Sequence, residues 1–431
     1  MPTGTGEPDA YGQREVGAVA TGAVRGATAR ERAPKRGPVG DAAAGLGARV
    51  LPVVPVRARG LTVEGADGRR YLDCVSGAGA LVLGHNHPVA LQAIREVLDT
   101  GAPLQVTGLS TPVEEAFVTE LTRTLPPGLA ERARVRFCEP AGKAPVATAA
   151  ELVRAATGRT RVIPSTQADH GAWPEFADRG PQEALPAGMI VEPIRCRSGV
   201  LPTADAWLRR VRGSTAERCV PLIADETETG VGRTGAFWAV EHSGVVPDVL
   251  VLSKAIGGGL PLAAVVYRDD LHTGEGGAFR GNQLAVAAGA ATLAHVREHR
   301  LAEHAAALGG RTLARLHGLA EKFSCVGTVR GRGLMIGVEM TAPDCTADAG
   351  PQGVRLGAAV AVAVRRECLR RGLIVDVAGP SGSVVRLLPP LIVTEEQMSA
   401  VLDRFADAVQ AVERSPSDHA PPRGMRAARQ P

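Results

Sequence analysis

Aromatic side chains are scarce in this chain of 431 residues, at 3% of the composition, although hydrophobic residues make up 45% of it. The hydrophobic core must therefore be built mainly from alanine, valine and leucine. The length is sufficient for two domains with a sizeable core. No apolar run approaches the roughly 20 residues that a membrane-spanning helix requires, so we expect no membrane partner.

The cysteines are few and scattered, which argues against a disulfide framework. There are seven of them, an odd number, and no two form a C-x-x-C pair. Both features indicate free thiols in a reducing compartment, so we predict a cytoplasmic location. Residues 1–49 have no apolar segment typical of a signal peptide, and we expect a disordered extension there.

The net charge of +4 comes from the two ends of the chain. Residues 1–49 hold five acids and seven bases, and residues 414–431 hold one acid and four bases, which leaves the body near −1. The body therefore has no basic face that would predict a nucleic-acid partner. We expect residues 414–431 to form a disordered tail.

Strand and helix patterns alternate between residues 134 and 300. The alternation predicts an α/β fold with a large, doubly wound, mostly parallel sheet. Strands are expected at 134–138, 160–164, 189–191, 220–224, 249–252 and 263–267. After residue 300, long helices alternate with short strands, which indicates a smaller α+β domain.

Lysine is also rare, with only four in the chain. One of them, Lys254, lies between the apolar run 249–252 and the glycines 257–259. An earlier apolar run, 220–224, ends in Asp225. A lysine and a carboxylate at the ends of two strands suit a pyridoxal phosphate enzyme, in which the lysine forms a Schiff base and the carboxylate keeps the pyridine nitrogen protonated.

Several motifs support a family resemblance that runs from about Val50 to about Val412. The most specific segment is 222–268, and further matches lie at 71–79, 84–88, 279–285, 330–337 and 385–391. On these motifs the chain resembles the class III aminotransferases, and among them most the members that transfer an amino group between 2,4-diaminobutyrate and 2-oxoglutarate. The resemblance implies the type I fold of pyridoxal phosphate-dependent transferases, an amino donor and a 2-oxo acid as substrates, and a homodimer.

The resemblance also implies the domain organisation. An N-terminal segment, 50–105, would pack with the small C-terminal domain, 310–413. The large cofactor-binding domain would span 106–309.

Residue by residue, the resemblance gives roles to five positions. Lys254 would form the Schiff base and shuttle a proton, and Asp225 would pair with the pyridine nitrogen. Arg386 would hold the α-carboxylate of glutamate or 2-oxoglutarate in a bidentate pair. Gly142 and Lys143 lie between a strand and a helix, where the family binds the cofactor phosphate on N–H groups of a helix N-terminus.

Other positions depart from the family pattern. Glu228 replaces a glutamine near the phenolic oxygen of the cofactor, and it should either take up a proton or change the electronics of the ring. Lys143 replaces a hydroxyl residue; either its charge would substitute for lost phosphate hydrogen bonds, or its side chain would point to solvent from the turn. His170 follows an aspartate that replaces the ring-stacking aromatic; either His170 would substitute for that ring in part, or the cofactor ring would lose this face contact. Arg197 stands where the family has a glutamate, so it would not neutralise Arg386.

These departures leave two rival functions open. Ala278 removes a further phosphate contact, and the stretch from Gly171 to Glu192 is shorter than in the family. The chain could be a weakened homologue that serves as a structural or regulatory partner. It could also be a pyridoxal phosphate enzyme of altered reaction type, such as a decarboxylase or racemase. Retention of Lys254 and Asp225 favours an enzyme.

Two further motifs have weaker interpretations. Gly230-x-Gly232-x-x-Gly235 satisfies a dinucleotide-binding pattern, but no clear helix follows it and no acid closes a βαβ unit. His85 and His87 are isolated from other ligands, which favours a structural role over a metal site.

Overall fold

The structure is a computed structural model that describes residues 51–164, 185–274, 281–342 and 350–414. The elements named here lie in the compact unit that begins at Val53. The strands of the described residues are β1 Pro55–Arg59, β2 Thr62–Gly65, β3 Arg70–Asp73, β4 Ala133–Cys138, β5 Val162–Pro164, β6 Gly188–Val191, β7 Ile194–Arg195, β8 Leu201–Pro202, β9 Leu222–Asp225, β10 Val249–Ser253, β11 Ala263–Arg268, β12 Val326–Arg332, β13 Met335–Met340, β14 Leu373–Ile374, β15 Asp376–Ala378 and β16 Val384–Leu387. The helices are α1 Pro88–Asp99, α2 Pro112–Thr124, α3 Ala144–Thr157, α4 Asp205–Glu217, α5 Gln283–Glu298, α6 Leu301–Lys322, α7 Gly350–Arg370 and α8 Glu395–Arg414.

A six-stranded sheet in the order β4-β11-β10-β9-β6-β5 forms the centre of the molecule. β11 runs antiparallel to both of its neighbours, and the other three strand pairs are parallel. This confirms the predicted mostly parallel sheet. Because parallel strands end at the same edge, β9 and β10 deliver the residues that follow them to one place.

Alternate residues of the central strands enter two different hydrophobic clusters. On β10, Leu250 and Leu252 pack with α2, α4 and α5, whereas Val249 and Val251 pack with α3. Side chains of successive strand residues point to opposite faces, so both faces of this sheet are covered. The apolar runs seen in the sequence are uninterrupted for this reason.

The core is largely aliphatic, as the composition predicts, but its few aromatic rings lie at central positions. Trp238 is fully buried, and its indole N–H donates to the carbonyl of Thr124 over 2.8 Å. Phe117 of α2 packs against Phe137 of β4 at 5.6 Å between ring centroids. These contacts hold α2 against β4 and against the segment that follows β9.

The C-terminal part contains a second, antiparallel sheet in the order β12-β13-β16-β15, packed with α6 and α7, and α8 packs on these two helices. A third sheet joins β1, β2 and β3 to β14, with Leu72 in register with Leu373. N-terminal and C-terminal strands therefore share one sheet. The domain boundaries given above stay a prediction.

Helix ends differ from the sequence prediction in some places. Thr111 caps α2 as predicted, since its hydroxyl accepts the N–H of Glu114 over 3.1 Å. In contrast, α7 begins at Gly350 rather than near Val360. α4 continues to Glu217, past the weak helix former Gly213, because Ser214 and Thr215 are buried against the body of the protein. No helix among the described residues is long and apolar enough to cross a membrane.

Candidate active site

Asp225 and Lys254 lie at the carboxyl ends of the adjacent parallel strands β9 and β10. Asp225 is the last residue of β9, and Lys254 begins the 3-10 turn that follows β10. Lys254 has a φ of 55°, a left-handed conformation that costs a non-glycine residue on the order of 1 kcal/mol. Strain of this kind is concentrated at functional sites.

Glu228 is the main partner of Lys254. The Nζ of Lys254 donates to Oε1 of Glu228 over 2.6 Å and to the carbonyl of Ala78 over 3.3 Å. The same carboxylate lies 3.4 Å from NH1 of Arg386 and 3.8 Å from Nε of Arg197. Glu228 is thus surrounded by three cations, a relationship that the sequence alone did not indicate.

Arg386 lies on β16 and is buried, with 7% of the residue exposed. Its NH2 donates to Oδ2 of Asp376 over 2.5 Å. The sequence interpretation expected that Arg197, in the place of the family glutamate, would not neutralise Arg386, and in the structure the opposing charge comes from two other residues. Asp376 and Glu228 supply that charge from other elements, and Arg197 contacts Glu228 instead.

A cavity of about 330 Å³ adjoins these groups, and its charged lining residues are Lys143, Glu192, Arg197, Asp225 and Glu228. Burial raises the pKa of Asp225 above its ordinary value, and hydrogen bonds from Thr227 offset part of that effect. Burial, with smaller contributions from the carboxylates of Asp225 and Glu228, raises the pKa of Glu192 to about 7. Glu192 was not predicted as a site residue, although the Glu-Pro pair after a strand was visible in the sequence.

The N-terminus of α3 opens into the same cavity. Lys143 is the N-cap residue and is exposed, and its side chain makes no cap hydrogen bond. Gly142 has a φ of 51°, and Pro145 is buried in the first turn, where the missing N–H is tolerated. A cation and a helix N-terminus together suit an anionic group.

The loop that contacts Lys254 is held by Asp73. The Oδ1 of Asp73 accepts the N–H groups of Val75 and Ser76 over 2.8 Å and 3.1 Å, and its Oδ2 lies 2.8 Å from Nε2 of His85. The four residues 76–79 all have positive φ, which brings the Ala78 carbonyl toward Lys254. His85 therefore has the structural role predicted for it.

The glycine motif at 230–235 serves packing in this structure. A Cβ on Gly230 would lie 2.5 Å from the ring of Trp238, and one on Gly235 would lie 2.9 Å from Ala306 of α6. A 3-10 turn, Ala239–Ser243, follows instead of a dinucleotide-binding helix. Among the described residues, no group of three or more metal-ligating side chains meets.

The arrangement fits pyridoxal phosphate. It provides a lysine for covalent attachment, a half-buried carboxylate for the ring nitrogen, and a cation at a helix N-terminus for the phosphate. The sequence interpretation found a ring-stacking contact missing at Asp169 and a phosphate contact missing at Ala278, and it gave His170 a partial stacking role. These three residues lie outside the described residues.

The sequence profile described as Aminotransferase class-III matches residues 44–174 and 181–409. The chain belongs to the class III aminotransferases. Members of this family are pyridoxal phosphate-dependent transaminases, which confirms the predicted enzyme class and cofactor.

Curated members of the class III aminotransferases resemble the chain over most of its length. It is 39% identical over 425 residues to a diaminobutyrate–2-oxoglutarate aminotransferase of Rhizobium meliloti, which covers 85% of this chain and 90% of the relative. It is 31% identical to the Haemophilus influenzae enzyme of the same name, over 84% of this chain and 91% of the relative.

Solved structures of other class III aminotransferases share the fold. The acetylornithine aminotransferase of Elizabethkingia anophelis is 25% identical, with a TM-score of 0.71 over 86% of this chain and 97% of that one. The ornithine delta-aminotransferase of Plasmodium falciparum is 26% identical, with the same TM-score and coverage. These likenesses confirm the predicted type I fold.

Proposed function

We propose that this aminotransferase transfers an amino group between 2,4-diaminobutyrate and 2-oxoglutarate. The observation that carries the proposal is the contact chain from Lys254 through Glu228 to Arg386, which joins a lysine for the cofactor to an arginine for a substrate carboxylate. The names of the relatives from Rhizobium meliloti and Haemophilus influenzae support these substrates.

Within this proposal, each residue has a distinct task. When bound, pyridoxal phosphate supplies an electron sink for proton removal at the substrate carbon. Lys254 would hold the cofactor covalently, and its amine, once free, would move a proton. Asp225 holds a proton on the ring nitrogen, and Lys143 with Gly142 binds the phosphate. Arg386 orients the substrate through its carboxylate.

Glu228 keeps the amine of Lys254 and the guanidinium of Arg386 in fixed relative positions. Its two oxygens contact the two cations separately, at 2.6 Å and 3.4 Å. Fixed placement of reacting groups is a large part of catalysis, because the substrate then meets the amine in one orientation. The proposal therefore gives Glu228 a different task from the glutamine of the family.

The visible absorption spectrum of the protein with pyridoxal phosphate tests the proposal. We expect a band in the wild type that is absent in Lys254→Ala. Addition of 2,4-diaminobutyrate or glutamate should bleach it, and 2-oxoglutarate should restore it.

Two results would contradict the proposal in different ways. No Lys254-dependent band at saturating cofactor would favour a non-catalytic structural partner. A Lys254-dependent band without turnover that depends on a 2-oxo acid would favour a decarboxylase or racemase.

We also propose that the chain is a homodimer. Small apolar residues of α1, α2 and α5 line an open groove, among them Ala93, Ala116 and Ala287. Leu98 and Leu109 nearby along the chain are 52% and 65% exposed. Exposed apolar surface of this kind indicates a contact with another chain.

Light scattering after gel filtration tests this assembly. Leu109→Glu should shift the protein toward the monomer, whereas Val362→Glu, a change at an exposed valine of α7, should not. A wild-type monomer would contradict the proposal.

A cytoplasmic location is proposed from the thiols. The six cysteines that the structure describes are all unpaired, and five of them are buried. A reducing compartment preserves such thiols. Cell fractionation of a producing organism would test this location.

A further inference from the structure

Arg197 combines a fixed backbone with an exposed side chain. It follows the buried residue Cys196, whose Sγ lies 3.2 Å from the sulfur of Met335. The carbonyl of Arg197 accepts the N–H of Gly379 over 3.2 Å, which holds the backbone from a second element. In contrast, 74% of the side chain is exposed, and it lines the cavity of the candidate site. The guanidinium therefore extends from a fixed point and can move toward a ligand in that cavity.

The guanidinium of Arg197 is only weakly engaged. Among the described residues its carboxylate partner is Glu228, and the distance from Nε to Oε1, 3.8 Å, exceeds that of a hydrogen bond. The charge nevertheless acts on other acids of the cavity. Burial raises the pKa of Glu192 and of Asp225, and the positive charge of Arg197 opposes part of that rise. The donors of this guanidinium are thus available to an anion that enters the cavity.

Arg197 lies close to the amine that would react. The Oε1 atom of Glu228, which Arg197 approaches, also accepts from Nζ of Lys254 over 2.6 Å. Arg386 contacts the other oxygen, Oε2, at 3.4 Å. Two guanidinium groups and one amine are therefore arranged around a single carboxylate. A substrate that reacts at Lys254 meets Arg386 and, separately, a second cation.

Both substrates of the proposed function carry a carboxylate at the same distance from a carbon that can exchange nitrogen. In 2-oxoglutarate the oxo group is on C2, and the second carboxylate is C5. In 2,4-diaminobutyrate the terminal amine is on C4, and the carboxylate is C1. Three carbon–carbon bonds separate the two positions in each molecule. One cation in a fixed place can therefore bind this carboxylate in either substrate.

We propose that Arg197 binds the substrate carboxylate that lies three carbon–carbon bonds from the reacting carbon. This inference rests on the proposed function, because that function supplies the two substrates and places the reacting carbon at Lys254. The family has a glutamate at this position, so the role belongs to the cation that this chain carries there. A guanidinium suits the task, because its planar fork binds a carboxylate through two donors. Arg197 can leave Glu228 at little cost, since their contact is long and screened by solvent.

The test compares two unreactive acids on the cofactor-loaded enzyme. Glutarate has two carboxylates with the spacing of those in 2-oxoglutarate, whereas butyrate has one. We expect Arg197→Gln to raise the dissociation constant of glutarate about fivefold in calorimetry, because a largely exposed ion pair contributes up to about 1 kcal/mol. The dissociation constant of butyrate should not change. Arg197→Lys, which keeps the charge, should retain most of the affinity for glutarate.

Arg300→Gln is the matched control. The side chain of Arg300 is 76% exposed and pairs with one carboxylate, that of Glu303, at 2.9 Å, but Arg300 is not among the residues that line the cavity. This variant should leave the binding of both acids unchanged. An equal loss for glutarate and butyrate in Arg197→Gln would overturn the inference, because Arg197 would then act only through the overall charge of the site. Unchanged binding of glutarate would overturn it as well.

Kinetics test whether the two substrates share Arg197. In Arg197→Gln the KM values for 2-oxoglutarate and for 2,4-diaminobutyrate should both rise, with little change in kcat. A rise for 2-oxoglutarate alone would overturn the shared role. Glutarate does not react, so a selective loss of its binding in Arg197→Gln would support the carboxylate site even if the wild type turned over neither substrate. Absence of turnover would contradict the proposed function alone.

Discussion

The Nζ of Lys254 lies 2.6 Å from Oε1 of Glu228, and the other oxygen of Glu228 lies 3.4 Å from NH1 of Arg386. One side chain therefore links the two ends of the candidate site. The family has glutamine at this position, which could contact the same groups but could not balance their charge. The negative charge of Glu228 is what holds three cations together here.

Glu228→Gln should destabilise the cofactor-free protein. Only 12% of the Glu228 side chain is exposed, so its removal leaves Lys254, Arg386 and Arg197 close together with less opposing charge. We expect the free energy of unfolding to fall by about 1–3 kcal/mol. Urea denaturation measures it, and Glu339→Gln, at a 37% exposed carboxylate, should lose less. Equal midpoints for wild type and Glu228→Gln would refute this.

Lys143→Ala should weaken the binding of pyridoxal phosphate through the phosphate group. Lys143 is exposed, is the N-cap residue of α3 and lines the cavity. Loss of one charge-assisted contact should cost roughly 1.5 kcal/mol of binding free energy, which corresponds to a dissociation constant about tenfold higher. Absorbance titrations measure the constant, with Lys322→Ala as the control lysine. Pyridoxal, which has no phosphate, should bind with equal affinity to the wild type and to Lys143→Ala. If Lys143→Ala lost as much affinity for pyridoxal as for pyridoxal phosphate, a phosphate contact would be disproved.

Gly258→Ala should disturb the turn that carries Lys254. Gly258 has a φ of 61°, and an added Cβ would lie 2.5 Å from the carbonyl oxygen of Ala288 in α5. Strain and overlap together should cost roughly 2–4 kcal/mol. Gly68→Ala is the matched control, because Gly68 has a φ of 77° but open space around it, and it should cost only about 1 kcal/mol. Thermal unfolding compares them, and equal losses would contradict the role of the α5 contact.

Glu192 should make stability depend on pH in the cofactor-free protein. Burial raises its pKa from 4.5 to about 7, so the folded chain holds this proton more tightly than the unfolded chain. The contribution of this proton to the free energy of unfolding is fully present below about pH 4.5 and is lost as the pH rises to about 7. Relative to wild type, Glu192→Gln should therefore gain about 1–2 kcal/mol between about pH 5 and about pH 8.

Urea midpoints of the two proteins at these pH values measure the difference. Asp225, whose pKa burial also raises, contributes a change of the same sign to both proteins, and this cancels in the comparison except for the coupling between Asp225 and Glu192. Parallel pH profiles for wild type and Glu192→Gln would show that Glu192 does not carry this effect.

The sequence was sufficient for the fold, and it predicted Lys254 and Asp225 as the two central residues of the site. The apolar runs of β9 and β10 are uninterrupted because both faces of the sheet are covered, and they end in Asp225 and Lys254. Parallel neighbours end at one edge, so the pairing of a lysine with a carboxylate could be read from local pattern alone. The cap at Thr111 was equally local.

The partners of these residues could not be predicted. Asp376 is 10 positions from Arg386 and Glu228 is 158 positions away, and neither separation indicates a contact. The family resemblance placed the carboxylate that neutralises Arg386 at position 197, where this chain has an arginine. The replacement comes from a different strand.

The sequence by itself determined the chain's class and the succession of its central strands along the chain, and it predicted Lys254 as the cofactor lysine, because these depend on short-range patterns of apolar residues and turns. Only the tertiary structure decided how the charges are paired. Ion pairs in a buried site depend on which distant elements come into contact there. Desolvation increases the free-energy effect of each such contact between charges. For this reason no local motif predicted that Glu228 contacts both Lys254 and Arg386, or that Asp376 also pairs with Arg386.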